Sequence, residues 1–274
     1  MKYTIVTSFN QSGLERYGQR MIDTFEANWP AEVDLIVCAE NCTPKTSKPN
    51  TRVVDMLAAS SDLRTFVERH RNNPMAHGQD GPPDVFHPKK QFRWDAVRFC
   101  YKVYAKALAA DMIESGWMIW IDADTITHSP VSMSFLHNVC PNNAMVSYLG
   151  RGENYHSECG WVAYNLDASE CRQFVRDFVN MYNTDAIFKE KEWHDSYIFD
   201  VLRRQFQGRC RFHNLNPSPE NKGFAGHPFI NSDLGRYMDH VKGGRKEKGH
   251  SKAKEVIVHT DHPYWQRIIK QANR

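Results

Sequence analysis

The 274-residue sequence has no apolar run near the roughly 20 residues that crossing a bilayer requires. Its first ten residues, MKYTIVTSFN, turn polar too early for a secretory signal. Both features lead to the expectation of a soluble, cytoplasmic chain, in the host cytoplasm if it is phage-encoded. Seven cysteines at 38, 42, 100, 140, 159, 171 and 210 form no C-x-x-C pair, which argues against a thiolate zinc site, and their odd number argues against a disulfide framework. There is no internal repeat and no linker-like stretch, so one domain over 1–274 is expected. The net charge of +3 is too weak to require a polyanionic partner. It is uneven, however: Lys242 to Lys254 holds six Lys or Arg against one Glu, a local excess of 6 − 1 = +5.

What is present is an alternation of strand and helix signals. YTIVTSF and VDLIVCAE have the β-branched content of buried strands, and between them LERYGQRMIDTFEANW spaces Leu14, Tyr17, Met21, Ile22 and Phe25 as one helical face. RVVDML reads as a short third strand, and Asp62 to Arg69 as a helix with Ser60 and Ser61 as candidate caps. Residues 71–90 crowd Pro, Gly and His into a loop longer than compact domains usually carry, a lid or an insertion. A long helix is expected from Gln91, with Phe92, Ala96, Phe99, Val103, Ala107 and Leu108 on one face. Strands WMIWIDA, NAMVSYLG and GWVAYN follow, then helices near Ala168 to Tyr182 and Asp195 to Phe206. The chain continues through CRFHNL, a loop at 216–232, a flexible basic loop at 242–254, a strand EVIVH and a last helix PYWQRIIKQA. Such alternation predicts an α/β fold with a central, mostly parallel mixed sheet flanked by helices.

In open α/β sheets, ligands collect at the carboxyl ends of strands. WMIWIDADTITHSP puts Asp122 and Asp124 at such an end. Spaced i, i+2 on extended backbone they would face opposite ways, but a strand ending between them turns both toward one point. Carboxylates are the hard ligands that Mg²⁺ and Mn²⁺ prefer. Simple capping of the following turn would also place aspartates there.

The hydrophobic strand leading into D-x-D, behind several β/α units, resembles the GT-A fold nucleotide-sugar glycosyltransferases, with MIWIDAD as the matching motif. The opening YTIVTSFNQSGLERYGQRMIDTFEANWP is also similar to phage-encoded glycosyltransferases, including those that modify hydroxymethylated DNA bases. The resemblance implies a nucleotide-diphosphate sugar donor, a UDP-sugar best, held through Mn²⁺ or Mg²⁺. Asp122, Ala123 and Asp124 would meet donor and metal, with His259 of EVIVHTDHPYW as third metal ligand and His262 or Asp261 as substitutes. Thr7, Ser8 and Phe9 would approach base and ribose, Lys90 and Arg93 the phosphates, and Gly160 the sugar. Plain helix solvation accounts for Lys90 and Arg93 equally well, and Asp95 with Arg98 forms a surface pair. Glu158 would bind sugar hydroxyls, and Asp195 would be the base of an inverting enzyme or touch the sugar in a retaining one. N-capping is the competing account of Asp195. Trp193, His194, Lys246 and Lys248 would face the acceptor.

For that acceptor, the basic loop and the phage-like opening point to DNA carrying a 5-hydroxymethylcytosine-type base, flipped from its stack. The alternative is a bacterial surface glycan or lipid-linked saccharide. D-x-D also occurs as the nucleophile motif of haloacid-dehalogenase-type phosphatases, but here Ile126 stands at its Thr/Val position and no later aspartate pair completes that metal site.

Overall fold

A computed structural model describes residues 1–81, 87–153, 155–221, 224 and 226–273. Nine strands are described, β1 (Tyr3–Asn10), β2 (Val33–Glu40), β3 (Thr51–Asp55), β4 (Trp117–Ile121), β5 (Thr125–Thr127), β6 (Val146–Leu149), β7 (Glu158–Asn165), β8 (Phe212–Asn214) and β9 (Met238–His240). The helices are α1 (Gln11–Gly13), α2 (Gln19–Asn28), α3 (Met56–Ala59), α4 (Ser61–Arg69), α5 (Ala96–Met112), α6 (Met133–Val139), α7 (Cys171–Asn183), α8 (Asp195–Phe206), α9 (Pro228–Asn231) and α10 (Pro263–Ala272). A π turn over Leu14–Gly18 joins α1 to α2.

Seven strands form one sheet in the order β3-β2-β1-β4-β7-β6-β8, and β5 pairs with β9 in a second. The β3-β2, β2-β1, β1-β4 and β6-β8 pairs are parallel; β4-β7 and β7-β6 are antiparallel. This is the expected α/β class with a mostly parallel mixed sheet. The apolar side chains of β1, β2 and β4 alternate between two cores, as a sheet buried on both faces requires. Val6, Cys38, Met118 and Trp120 meet α4, α5, α7 and α8, while Ile5, Leu35, Ile119 and Ile121 meet α2, α6, α9 and α10.

The strand order reverses direction between β1 and β4, which makes the crevice at their carboxyl ends the place for a ligand. β4 pairs with β1 only across Tyr3–Val6, so Thr7 to Asn10 continue past the end of that ladder, and of these Ser8 borders the crevice.

Several local expectations change. The long helix begins at Ala96, after a 3-10 segment Pro88–Trp94, because Asp95 accepts the Arg98 N–H and caps it rather than pairing with the Arg98 guanidinium. The buried face of α5 carries Cys100, Val103, Tyr104 and Lys106, whereas Phe92 is exposed. EVIVH is not a strand: Ile257 and Val258 are exposed, and their N–H groups donate to the Asn231 side chain instead of to a ladder. The basic segment is partly built into the fold, with a 3-10 turn over Gly243–Glu247 and Arg245 paired to Glu255. Of the 71–90 loop, Met75–His77 forms a 3-10 turn, and 82–86 lie outside the described residues.

Candidate active site

β4 ends at Ile121, and residues 122–125 turn at once: Asp122 N–H donates to Gly160 O, and Thr125 N–H returns to Asp122 O, both near 3.0 Å. That turn gives the two carboxylates a common direction. The chain then enters β5, whose Thr125 lies opposite His240 of β9, and Val241 N–H donates to Asp124 O at 2.9 Å. A two-stranded ribbon of three residues a side therefore brings His240 to the aspartates.

His240 Nε2 is 3.1 Å from Asp124 Oδ1 and 3.6 Å from Asp122 Oδ2, and one ligand atom from each of the three side chains falls within 4.8 Å of the others. Two carboxylate oxygens and one imidazole nitrogen suit Mn²⁺ or Mg²⁺. On the far side of the ring, Nδ1–H donates to Glu158 Oε1 at 2.8 Å, which sets the ring orientation and directs Nε2 at the aspartates. Gly160 supplies the room: a Cβ there would stand 2.4 Å from His240 Cε1. The glycine expected to admit a sugar thus admits the imidazole.

His259, the histidine expected beside the aspartates, lies elsewhere. It is buried, its Nε2 bonds Ser232 O at 2.7 Å, and it is not in the ligand group. With EVIVH held at Asn231 rather than in a sheet, nothing carries that histidine to the end of β4.

Buried charge surrounds the group. Glu158 is ringed by Arg151 at 2.5 Å, Lys242 at 2.7 Å and His240. Burial would raise its carboxyl, but Lys242 and Arg151 hold it well below the usual range. Asp124 is likewise lowered, burial being outweighed by His240 and by Lys246, whose Nζ stands 3.0 Å away. Burial alone would lower the His240 imidazole, yet Asp124 and then Glu158 lift it to about 9. Gly243, at φ +62° in the left-handed region, starts the 3-10 turn that brings Lys246 back to Asp124 and over the Tyr17 ring.

Lys102, on α5, was not singled out by the sequence. Its Nζ stands 2.7 Å from both Asp122 and Asp195 and donates to Cys159 O at 2.7 Å. Asp195 opens α8, but the cap position belongs to His194, whose side chain makes no capping hydrogen bond among the described residues. Capping therefore does not explain Asp195. Its buried carboxyl would rise by desolvation, but Lys102 and Lys106 keep it ionised. Lys106, one helical turn from Lys102, is 2% exposed with its Nζ 4.5 Å from the centre of the Phe178 ring, and burial lowers it to about 8.

Lys106 apart, these groups line a pocket of about 640 Å³ together with Arg93, Arg98, His156, Glu192, His194 and Ser196. A smaller cleft of about 180 Å³ adjoins it along Ser8, Glu40, Asp122 and Lys246. The other expected residues are dispersed. Thr7 is buried and Phe9 is 3% exposed in the core, so of the first-strand triplet only Ser8 borders the cleft. Lys90 is exposed, and Arg93 pairs with Glu192 at 2.6 Å. Trp193 is 1% exposed and donates to Glu190 O, so it anchors the segment rather than facing the pocket, while His194 does line it. Lys246 reaches Asp124, and Lys248 is exposed.

No family model matches the chain, and no curated protein matches it. Solved structures do. The apo structure of WbbM, a bifunctional glycosyltransferase, aligns at TM-score 0.52 and 13% identity over 98% of this chain, which spans about half (51%) of that protein. The galactosyltransferase LgtC, in complex with donor and acceptor sugar analogues, aligns at TM-score 0.47 and 13% identity over 98% of this chain and 95% of its own. Mouse xyloside xylosyltransferase 1 aligns at TM-score 0.48 and 9% identity over 84% and 92%. At these identities the likeness is one of fold: the chain has the α/β architecture of GT-A glycosyltransferases, a mostly parallel mixed sheet flanked by helices.

Proposed function

We propose that the protein is a divalent-metal-dependent glycosyltransferase that moves a sugar from a nucleotide-diphosphate sugar to a hydroxyl. The observation that carries this reading is the convergence of Asp122, Asp124 and His240 at the β1/β4 crevice, inside a pocket of about 640 Å³ rimmed by cations. Asp122, Asp124 and His240 would hold Mn²⁺ or Mg²⁺. When bound, the metal would supply positive charge against the diphosphate, the group on which charge develops as the glycosidic bond breaks. Lys246 and Lys242 add fixed positive charge to the same wall. Glu158 orients His240 through Nδ1 and, with Arg151 and Lys242 on its oxygens, is committed to that task.

Asp195, ionised and lining the pocket, is the group for the acceptor proton if the reaction inverts, or for contact with the donor sugar if it retains. Lys102, bridging Asp122 and Asp195, holds the two carboxylates in one frame. The small cleft beside Ser8 and Glu40 suits the nucleoside, a uridine in our reading. For the acceptor we favour a hydroxymethylated base in DNA. Lys242, Arg245 and Lys246 are engaged by Glu158, Glu255 and Asp124, which leaves Lys248, Lys252 and Lys254 exposed for phosphates. Three phosphate contacts correspond to a salt slope of about −2.7.

The test is Mn²⁺-dependent hydrolysis of a panel of nucleotide sugars, followed by transfer to hydroxymethylcytosine DNA, unmodified DNA and an oligosaccharide, read by mass. Turnover of a sugar nucleotide that D124N abolishes is expected; none with any donor overturns the reading. Transfer to the oligosaccharide alone replaces the DNA acceptor with a glycan.

A further inference from the structure

A second group of ligand-type side chains lines the same pocket, on the wall where α8 begins. The chain approaches α8 in extended conformation, with ψ 159° at Glu190 and φ −84°, ψ 158° at His194. Extended backbone sends successive side chains to opposite sides. Trp193 goes inward, packed 4.9 Å from the Phe188 ring, so Glu192 and His194 go outward together. His156, from the segment before β7, meets them from a distant part of the chain. Its Nε2 lies 3.1 Å from Glu192 Oε2, and His194 Nε2 lies 2.8 Å from the same oxygen. One ligand atom from each of the three side chains falls within 4.8 Å of the others.

The two separations from Glu192 Oε2 are a few tenths of an ångström shorter than those of a small tetrahedral site. With metal–ligand bonds of about 2.0–2.1 Å, tetrahedral ligands stand about 3.3 Å apart. Arg93 Nη1 occupies the other carboxylate oxygen, Oε1, at 2.6 Å, which leaves Oε2 as a single donor supported from outside, as liganding carboxylates commonly are. The Glu192 carboxyl would rise on burial, but His156 and then His194 hold it below its usual range. Two imidazoles and one carboxylate suit Zn²⁺ better than the oxygen-seeking Mg²⁺ or Ca²⁺. Three protein ligands also leave one position for an oxygen from the pocket.

We propose that His156, Glu192 and His194 form a second divalent-cation site, selective for Zn²⁺, whose fourth ligand is water or a hydroxyl of the second substrate. It is distinct from the Asp122–Asp124–His240 group and shares no ligand with it. Its placement one residue before Asp195 would put a cation beside the carboxylate that faces the reacting groups. The inference does not depend on sugar transfer, and its test contains no sugar nucleotide.

The experiment is titration of the chelator-treated full chain with Zn²⁺ and, as a spectroscopic probe, Co²⁺, with stoichiometry read by calorimetry and geometry by visible absorption. About two equivalents should bind the parent protein, one of them giving the intense bands of four-coordinate Co²⁺. His156 is a third exposed, so its replacement should spare the fold. H156A and the length-retaining H156Q, both checked by circular dichroism, should weaken that equivalent at least tenfold and remove the intense bands. A D122N/D124N variant should lose the other equivalent and keep them. Isotherms and spectra for folded H156A and H156Q that match the parent, or a single equivalent that D122N/D124N removes, would reduce the cluster to hydrogen bonding and overturn the proposal.

Discussion

The β1–β4 half of the sheet and the segment from His227 to His262 reach the same crevice by different physics. In the first, long apolar strands pair in parallel and bury both faces, so burial of side chains such as Ile5, Val6 and Ile119 sets the structure. In the second, short pieces are tied by polar side chains. Asn231 donates to His227 O and Glu255 O and accepts from Ile257 N and Val258 N, while Asp239 receives Ser251 and Tyr264. The first half fixes where the aspartates stand. The second decides which histidine joins them.

The sharpest way to break this comparison is through the two histidines. H240A and D124N should each lower metal-dependent turnover about a thousandfold, or about 4 kcal/mol of transition-state stabilisation, and weaken Mn²⁺ binding in step. H259Q should retain Mn²⁺ affinity within about threefold, as its imidazole is committed to Ser232 O. Calorimetric Mn²⁺ titration of the three variants decides it, and loss of the metal in H259Q with retention in H240A would reverse the assignment.

The next effects are on stability. I5A empties part of a fully buried site on β1 and should cost about 3 kcal/mol in urea unfolding, with metal affinity unchanged in the folded fraction. K106M should go the other way. Lys106 is lowered to about 8 by burial, so between pH 8 and 10.5 the unfolded chain binds a proton that the native chain does not. Stability therefore rises with pH across that window, and below it the native state carries a penalty of about 3 kcal/mol. Replacing the ammonium with a thioether should recover most of that penalty at pH 7 and flatten the pH dependence between 8 and 10.5, as thermal unfolding would show.

The smallest effects on stability should have large effects on the site. N231A removes the ties at both ends of the His227–His262 segment for about 2 kcal/mol. G160A crowds His240 for a similar amount. Both should weaken Mn²⁺ binding at least tenfold, which I5A does not. Equal metal losses in I5A and N231A would erase the distinction between the two regions.

The legibility of the sequence follows the same division. Apart from the three-residue β5 (Thr125–Thr127), the strands from YTIVTSF through GWVAYN, the helix at Asp195 and the last helix at Pro263 could be placed from apolar periodicity, and the D-x-D turn followed from where its strand ends. The approach of His240 could not, because a three-residue strand, Met238–His240, has too little pattern to stand out. Its neighbour EVIVH looked more like a strand, yet Ile257 and Val258 are exposed on a loop. Lys102 was hidden for another reason: a lysine in an amphipathic helix reads as a solvated face until the strand beside it is known to end in a carboxylate.

The sequence by itself determined an α/β sheet and placed two carboxylates at the carboxyl end of a buried strand, because hydrophobic burial leaves a periodic record along the chain. Only the tertiary structure decided that His240 joins them, that Gly160 makes room for its ring, and that Lys102 and Glu158 fix the frame around it. Those choices rest on hydrogen bonds and ion pairs between residues as far apart as 118 positions, as His240 and Asp122 are, and such contacts have no period to read.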